Sequence, residues 1–261
     1  MIPERPDGID CEAWAALCGP PIAHRGLWSP EGPPENTLAA FEAAASVGYG
    51  MELDVQLSAD GEAMVFHDDR LEHRLTAASG RIAERLAADI AAVRIKDTDH
   101  TIPTLAQVLA QVDGRSLILI ELKVLGGEVG PLEKRVAELL SDYDGPAAVI
   151  SFNPHSVGWF AENAPRLLRG LNSAAYHDVL NWMIPREERR ALAELEHVAA
   201  AKPHFLSLGL DMLPSPSADA LRAKGMPVVT WTVRTPAQWA RVAGHCDNLM
   251  FEGFRPEARS R

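Results

Sequence analysis

Cysteine is scarce in this sequence, and long apolar runs are missing. The three cysteines (Cys11, Cys18 and Cys246) are an odd number without C-x-x-C spacing, so neither a disulfide framework nor a zinc knuckle is predicted. No apolar run reaches the roughly 18 residues of a membrane-spanning helix, and the first residues lack the basic and apolar regions of a signal peptide. We therefore expect a cytoplasmic protein without stable membrane insertion.

An excess of positive charge is also missing. Lysine and arginine number 25 against 36 aspartate and glutamate residues, which gives a formal net charge of −11. Because an acidic surface repels nucleic acid and anionic lipid, neither is an expected partner. A small anionic substrate is compatible with this charge, since a few local cations or a bound metal can make a cleft positive. The sequence does not indicate an oligomeric state.

Short apolar runs alternate with helix-like segments along the whole chain. The runs are mostly continuous in apolar residues, which is typical of strands buried on both faces of a parallel sheet. Predicted strands cover residues 22–23, 51–57, 63–66, 117–122, 147–151, 167–171, 205–208, 228–233 and 249–251. Predicted helices cover residues 37–46, 84–93, 104–112, 132–141, 186–200, 218–224 and 237–243.

This alternation predicts one α/β domain built of repeated βα units. Eight or nine strands in a chain of 261 residues favour a closed (β/α)8 TIM-type barrel over a doubly wound sheet. No G-x-G-x-x-G follows the first strand, so the signature of a dinucleotide-binding sheet is missing. We place the barrel at residues 21–255 and expect residues 1–20 to form an N-terminal extension that packs outside it.

Polar residues lie at the end of the first predicted strand, where barrel enzymes hold their active sites, and within the second. His24 and Arg25 follow the first strand, although an ordinary loop histidine is an alternative interpretation. Glu52 and Asp54 lie two residues apart in an apolar strand and therefore point to the same face. Unless that face is solvated, the two carboxylates need a counter-charge, which a divalent metal or a neighbouring Arg or Lys could supply.

His67 is expected near these carboxylates in either of two geometries. If Asp60 and Gly61 form a type I′ turn, paired residue numbers sum to 121, and Asp54 lies opposite His67. If the connection instead crosses to a parallel strand, His67 still ends that strand close to the carboxylates.

Glu121 and Lys123 share one face of the most apolar strand of the chain. They could form a self-neutralising buried ion pair. Alternatively, Glu121 could be a third oxygen ligand for a metal while Lys123 contacts an anionic substrate. Trp231, in the late run V-V-T-W-T-V, could line the cleft or belong to the core.

Together these motifs resemble the glycerophosphodiester phosphodiesterase family. The matching segments, in order, are A-H-R-G (23–26), P-E-N-T-L-A-A-F (34–41), E-L-D-V-Q-L-S-A-D-G (52–61), V-F-H-D (65–68), I-P-T-L (102–105), E-L-K (121–123), I-S-F-N-P (150–154) and V-V-T-W-T-V (228–233). Several motifs in the right order and at similar spacing are far more specific than any one of them.

The resemblance implies a barrel of the phospholipase C-like phosphodiesterase kind that hydrolyses glycerophosphodiesters to sn-glycerol 3-phosphate and an alcohol. It implies that Glu52, Asp54 and Glu121 bind one divalent cation. Oxygen ligands of this kind suit a hard ion, Mg²⁺ or Ca²⁺. It further implies that His24 and His67 are the general acid and base, in an order that the resemblance leaves open.

The family pattern extends to residues around this centre. It implies that Arg25 and Lys123 hold the phosphoryl oxygens and that Trp231 lines the cleft. Glu35 and Asn36 belong to the pattern as well, and we interpret them as structural, with Asn36 capping the helix that begins at residue 37.

Two segments depart from the family pattern. Residues 71–76 carry one extra residue, which leaves the direction of Arg74 open, and residues 245–253 lack the usual motif of the final strand. Three other functions fit parts of the sequence. They are a related barrel phospholipase D-type enzyme acting on lysophospholipids, a non-catalytic barrel that binds phosphodiesters or a metal, and a sugar-processing barrel that uses Glu52 and Glu121.

Overall fold

A closed barrel of parallel strands forms the centre of the protein. The structure is a computed structural model, and it describes residues 3–73, 75–124, 128–175 and 186–257, with Glu188 described by its backbone alone. Arg74 lies outside the described residues. The strands are β1 (Ile22–Ala23), β2 (Gly50–Leu57), β3 (Ala63–Val65), β4 (Ile118–Leu122), β5 (Ala147–Ser151), β6 (Leu168–Ser173), β7 (Phe205–Gly209), β8 (Val228–Val233) and β9 (Asn248–Phe251). All except β3 are parallel, in the order β1-β9-β8-β7-β6-β5-β4-β2, and β1 pairs with β2 to close the ring. The predicted (β/α)8 TIM-type barrel is confirmed.

Most connections between the strands contain a helix. The helices are α1 (Cys11–Leu17), α2 (Leu38–Ser46), α3 (Ala87–Ala91), α4 (Leu105–Val112), α5 (Pro131–Ser141), α6 (Pro154–Asn163), α7 (Arg186–Ala193), α8 (Val198–Ala201), α9 (Pro216–Arg222) and α10 (Pro236–Val242). Within the described residues, no helix combines the length and the apolarity needed to cross a membrane.

Four helical segments differ from the prediction, and the first is α1, which lies in the expected N-terminal extension and was not predicted as a helix. The single helix predicted over residues 186–200 is divided into α7 and α8, because Leu195 between them has a left-handed backbone with φ of 63°. The helix predicted over 84–93 is shortened to α3, which follows a 3₁₀ turn at Ile82–Glu84. The sequence pattern did not predict α6, although its start carries two capping signals, Asn153 as N-cap and Pro154 in the first turn.

The connection between β2 and β3 is a hairpin, but its register differs by one residue from the predicted one. The pairs are Val55 with Val65, Gln56 with Met64 and Leu57 with Ala63, so paired numbers sum to 120. The loop is longer than a two-residue turn, and Gly61 in it has a left-handed φ of 87°. Because of this shift, Phe66 rather than His67 pairs with Asp54, and the Phe66 N–H donates to the Asp54 carbonyl at 3.0 Å.

The amino-terminal helix α1 closes the barrel at the amino ends of its strands. The side chains of Trp14 and Leu17 pack in one buried cluster with Ile22 of β1 and Met250 of β9. The Asn248 side chain at the start of β9 donates to the carbonyls of Leu17, at 2.8 Å, and of Pro20, at 2.9 Å. The barrel interior at this end is therefore apolar and sealed by the N-terminal segment.

We expect Trp14→Ala to lower the free energy of unfolding by about 3 kcal/mol, since it leaves a cavity at the closed end of the barrel. Trp14 is 4% exposed, and its Nε1 donates to the Pro3 carbonyl at 2.9 Å. Urea denaturation measures the change. Val47→Ala, at a 48% exposed position, is the control and should change stability by less than about 0.5 kcal/mol. Equal losses in the two variants would show that α1 does not contribute through packing.

Candidate active site

Three buried carboxylates converge on the neighbouring strands β2 and β4. Asp54 and Glu121 are neighbours in the strand register, and Glu52 lies two residues before Asp54 on the same face. Glu52 and Asp54 are 1% exposed and Glu121 is 9% exposed. One oxygen from each carboxylate lies within 4.8 Å of the others, a spacing at which all three could bind one metal ion. The i and i+2 spacing of Glu52 and Asp54, together with the register of β2 against β4, therefore produces a compact acidic cluster.

The first carboxylate of the cluster is held in an environment that disfavours its charge. Burial raises the pKa of Glu52 well above its usual value, and the neighbouring charges of Asp54 and Glu121 raise it further. The backbone N–H of Arg25 donates to Glu52 Oε2 at 3.1 Å. Glu52 Oε1 is buried and has no hydrogen-bond partner among the described residues. An unsatisfied buried carboxylate oxygen of this kind is suited to be the ligand of a cation.

The environment of Asp54 has the opposite effect. Burial opposes its ionisation, but the charges of Lys123, Arg25 and His67 lower its pKa below the usual value. The Lys123 ammonium lies 3.2 Å from Asp54 Oδ1, and Arg25 Nε lies 3.4 Å from Asp54 Oδ2. The Asn36 side chain also donates to Asp54 Oδ2 at 2.8 Å. Asp54 is therefore the charged centre of the cluster.

The two predicted cations are also buried and lie against the carboxylates. Burial alone would lower the pKa of Lys123, but the charges of Glu121 and Asp54 raise it, and the ammonium lies 2.8 Å from Glu121 Oε1. The pKa of Arg25 is likewise raised, against its burial, by Asp54 and Glu35. Arg25 Nη1 donates to Glu35 Oε1 at 2.5 Å. Both cations therefore stay protonated beside the acidic cluster.

Both predicted histidines have a carboxylate at Nδ1. His24 Nδ1 lies 2.8 Å from Glu252 Oε2, while its Nε2 lies 3.9 Å from Glu52 Oε2. His67 Nδ1 lies 2.7 Å from Asp68 Oδ1. Because the carboxylates occupy the two Nδ1 atoms, the Nε2 atoms are the ones left for a substrate.

Trp231 lies on the same end of the barrel as these groups. It is half-buried near the carboxyl end of β8 and makes an edge-to-face contact with Phe152 after β5, with ring centroids 5.5 Å apart. Its Nε1 is buried without a hydrogen-bond partner in the described part of the chain. This position is compatible with the predicted role of Trp231 in lining the cleft, which stays a prediction.

Sequence reasoning missed or misread three side chains that support this site. Asn36 is not a helix cap: the N-cap of α2 is Thr37, and Asn36 has a left-handed φ of 54° and binds Asp54 instead. Asn172 on β6 is 1% exposed and its side chain donates to Glu121 Oε2 at 3.3 Å. Glu252, in the segment that departs from the family pattern, contacts His24. The only sequence signal for Glu252 was its position at the end of the last strand.

Comparisons with known proteins show which family this chain resembles. The sequence model of the glycerophosphoryl diester phosphodiesterase family matches residues 24–245. The Bacillus subtilis protein YhdW is 36% identical over 232 residues, which cover 85% of this chain and 88% of that protein. A glycerophosphodiester phosphodiesterase of Caldanaerobacter subterraneus subsp. tengcongensis is 33% identical over 161 residues, 58% of this chain and 65% of the relative's own length.

Solved structures show the same fold. An Oleispira antarctica phosphodiesterase in complex with the product sn-glycerol-3-phosphate superposes with a TM-score of 0.73 at 24% identity, over 88% of this chain and 91% of that one. A glycerophosphodiester phosphodiesterase from Thermotoga maritima superposes with a TM-score of 0.68 at 25% identity, over 88% and 92%. The resemblance and the enzyme class inferred from the sequence are thus confirmed, and the chain belongs to the glycerophosphoryl diester phosphodiesterase family.

Proposed function

We propose that this protein hydrolyses glycerophosphodiesters to sn-glycerol 3-phosphate and an alcohol, with one divalent cation and with His24 and His67 as general acid and base. The observation that carries the proposal is the position of one histidine beside the buried carboxylate triad: His24 Nε2 lies 3.9 Å from Glu52 Oε2. A site that only bound a phosphodiester would need the cations but not a pair of groups able to exchange protons.

The carboxylate triad fits a hard divalent cation. Glu52, Asp54 and Glu121 offer only oxygen atoms, they are buried, and Glu52 Oε1 lacks any other partner among the described residues. These properties suit Mg²⁺ or Ca²⁺ better than a metal that prefers nitrogen or sulfur. A cation bound there supplies positive charge that offsets the charge of the phosphate.

The protein groups supply positioning and proton transfer. Arg25 offers a forked donor and Lys123 a point charge to phosphate oxygens, and both keep their protons at neutral pH because of the carboxylates around them. One histidine takes the proton of the attacking glycerol 2-hydroxyl and the other gives a proton to the leaving alcohol, an exchange typically worth about 10²–10⁴-fold in rate. Water then opens the resulting cyclic phosphate to give sn-glycerol 3-phosphate, with the two histidines in the reverse roles. Half-buried Trp231 and Phe152 form an apolar wall beside these groups.

The test is an assay of purified protein stripped with EDTA. Release of sn-glycerol 3-phosphate from glycerophosphocholine and glycerophosphoethanolamine is measured after separate addition of Mg²⁺, Ca²⁺ or Mn²⁺. We expect activity to return with at least one hard cation and to be abolished by His67→Ala and by Glu52→Ala.

Other outcomes point to other functions. Activity on lysophospholipids but not on glycerophosphodiesters would favour the related phospholipase D-type enzyme. Metal binding without turnover of either substrate class would favour a binding barrel. Activity that survives both substitutions would show that the site lies elsewhere. The cytoplasmic location expected from the sequence stays a prediction.

A further inference from the structure

Glu252 follows the last strand of the barrel and brings its carboxylate to His24. Residues that follow the two neighbouring strands hold Glu252 in place. The His24 N–H donates to the Phe251 carbonyl at 3.0 Å, and the Glu252 N–H donates to the Val233 carbonyl at 3.1 Å. Glu252 Oε2 lies 2.8 Å from His24 Nδ1, and Arg234 Nε donates to Glu252 Oε1 at 2.6 Å. Both the backbone and the carboxylate of Glu252 are therefore tied to the neighbouring strands β1 and β8.

This arrangement decides which nitrogen of the neutral His24 ring carries the proton. An ionised carboxylate can only accept hydrogen bonds, so the proton must lie on Nδ1. The lone pair is then on Nε2, the atom that lies 3.9 Å from Glu52 Oε2. We propose that Glu252, held by Arg234, is a positioning residue for His24 that keeps Nδ1 protonated and Nε2 directed at the carboxylate cluster.

The charge and burial of Glu252 distinguish this role from an ordinary surface ion pair. The Glu252 side chain is 14% exposed, whereas Arg234 is 57% exposed and binds it from the outside. Burial raises the pKa of Glu252, but the hydrogen bond with His24 and the charges of His24 and Arg234 outweigh burial and lower it to about 2. The carboxylate is therefore ionised at every pH at which the enzyme would work. The expected effect of Glu252 on catalysis rests on the proposed function, whereas the expected position of the proton on the His24 ring does not.

Glu252→Gln tests the proposal because it keeps the shape of the side chain and reverses the direction of its hydrogen bond with His24 Nδ1. Arg234 can only donate, so the Gln carbonyl is expected to face Arg234 while the Gln NH₂ faces His24 Nδ1. Nδ1 must then accept, and the ring proton moves to Nε2. Long-range ¹⁵N–¹H spectra of the imidazole at pH 8 with Mg²⁺, assigned with His24→Asn, should show Nδ1–H in the wild type and Nε2–H in the variant. We expect kcat to fall by about 10²-fold or more while KM changes by less than about 3-fold.

Three further variants test whether the charge and the anchoring of Glu252 position His24. Glu252→Asp keeps a charged acceptor and should retain Nδ1–H and recover most of the kcat lost in Glu252→Gln. Arg234→Gln, at a mostly exposed position, should lower kcat by about 3–10-fold with Nδ1–H retained, because the carboxylate loses one anchor. Glu42→Gln is the matched control: it removes the carboxylate of the exposed Arg115–Glu42 pair, at 2.6 Å, and should change neither spectrum nor kcat.

The ring spectrum keeps this inference separate from the proposed function. If the wild type does not hydrolyse glycerophosphodiesters, a switch from Nδ1–H to Nε2–H in Glu252→Gln still supports the role of Glu252, and the proposed function alone fails. A wild-type ring protonated on Nε2, or a Glu252→Gln ring that keeps its Nδ1 proton, overturns the inference whatever the activity. Unchanged kcat in both Glu252→Gln and Arg234→Gln, with an active wild type, overturns the catalytic part.

Discussion

Glu52→Gln is expected to abolish metal-dependent hydrolysis and yet to raise the free energy of unfolding of the metal-free protein. The carboxylate is a proposed cation ligand, and loss of the several kcal/mol that a metal contributes to phosphoryl chemistry corresponds to a rate loss of about 10³-fold or more. Without the cation, ionised Glu52 is a buried charge beside Asp54 and Glu121. The neutral amide removes that repulsion, so we expect the metal-free variant to be more stable than the wild type at pH 8.

The pH dependence follows from the direction of the pKa shift. The folded protein binds the Glu52 proton more tightly than the unfolded chain, in which the pKa is near 4.5. The contribution of Glu52 to stability is therefore largest below pH 4.5 and is lost as the pH rises through the raised value. The stability advantage of Glu52→Gln should accordingly grow as the pH rises and level off above the raised pKa.

Asp54→Asn is expected to have the opposite effect on the metal-free protein. The folded pKa of Asp54 lies below its usual 3.8, so its charge contributes stability above pH 3.8 that is lost as the pH falls through the lowered value. Replacing it at pH 8 leaves Lys123 and Arg25 with less counter-charge in a buried site. We expect a loss of free energy of unfolding together with loss of activity.

Urea denaturation and thermal unfolding, with EDTA and with added Mg²⁺ or Ca²⁺, measure both variants against the wild type. We expect the cation to raise the melting temperature of the wild type but not of Glu52→Gln. Glu162→Gln, at an exposed position on α6, is the control for removal of one negative charge. A metal-free Glu52→Gln protein less stable than the wild type would argue against a strained acidic cluster.

Replacing either predicted catalytic histidine should lower kcat by about 10²–10⁴-fold without affecting cation binding. In His24→Ala or His67→Ala, the carboxylate triad is intact, so the stabilisation by added metal should match that of the wild type. A substrate with a p-nitrophenolate leaving group separates the two roles, because that group departs without being protonated. The variant whose defect is smaller on this substrate than on glycerophosphocholine has lost the general acid.

His155→Ala is the matched control, since His155 is exposed at the start of α6. It should leave both kcat and cation binding unchanged. Equal activity of His67→Ala and the wild type on both substrates would remove His67 from the mechanism, and the same result for His24→Ala would remove His24.

The barrel and most of its site could be predicted because local patterns determine them. Continuous apolar runs are suited to strands covered on both faces, and their alternation with helices predicts a parallel barrel. The two-residue period of a strand places Glu52 with Asp54, and Glu121 with Lys123, whatever the rest of the fold does. The family resemblance then linked these pairs to the two histidines, and the structure places all of them at one end of the barrel.

Contacts between distant segments could not be read in the same way. The hairpin register differs by one residue from the predicted one, because the register depends on the length and backbone conformation of the loop. Gly61 in that loop has a left-handed conformation. The misread role of Asn36 has a similar cause. Its place directly before a predicted helix suggested a cap, but its left-handed backbone directs the side chain to Asp54.

By itself, the sequence determined the strands of the barrel and the shared faces of Glu52 with Asp54 and of Glu121 with Lys123, because strand periodicity is a property of neighbouring residues. Its short motifs carried the family resemblance that pointed to the two histidines. Only the tertiary structure decided which side chains contact and orient these groups. Ring closure places β9 beside β1, which brings Glu252 to His24 across 228 positions of the chain, and it brings Asn172 to Glu121 across 51. Such contacts depend on the closure and stagger of the whole barrel, which no local pattern encodes.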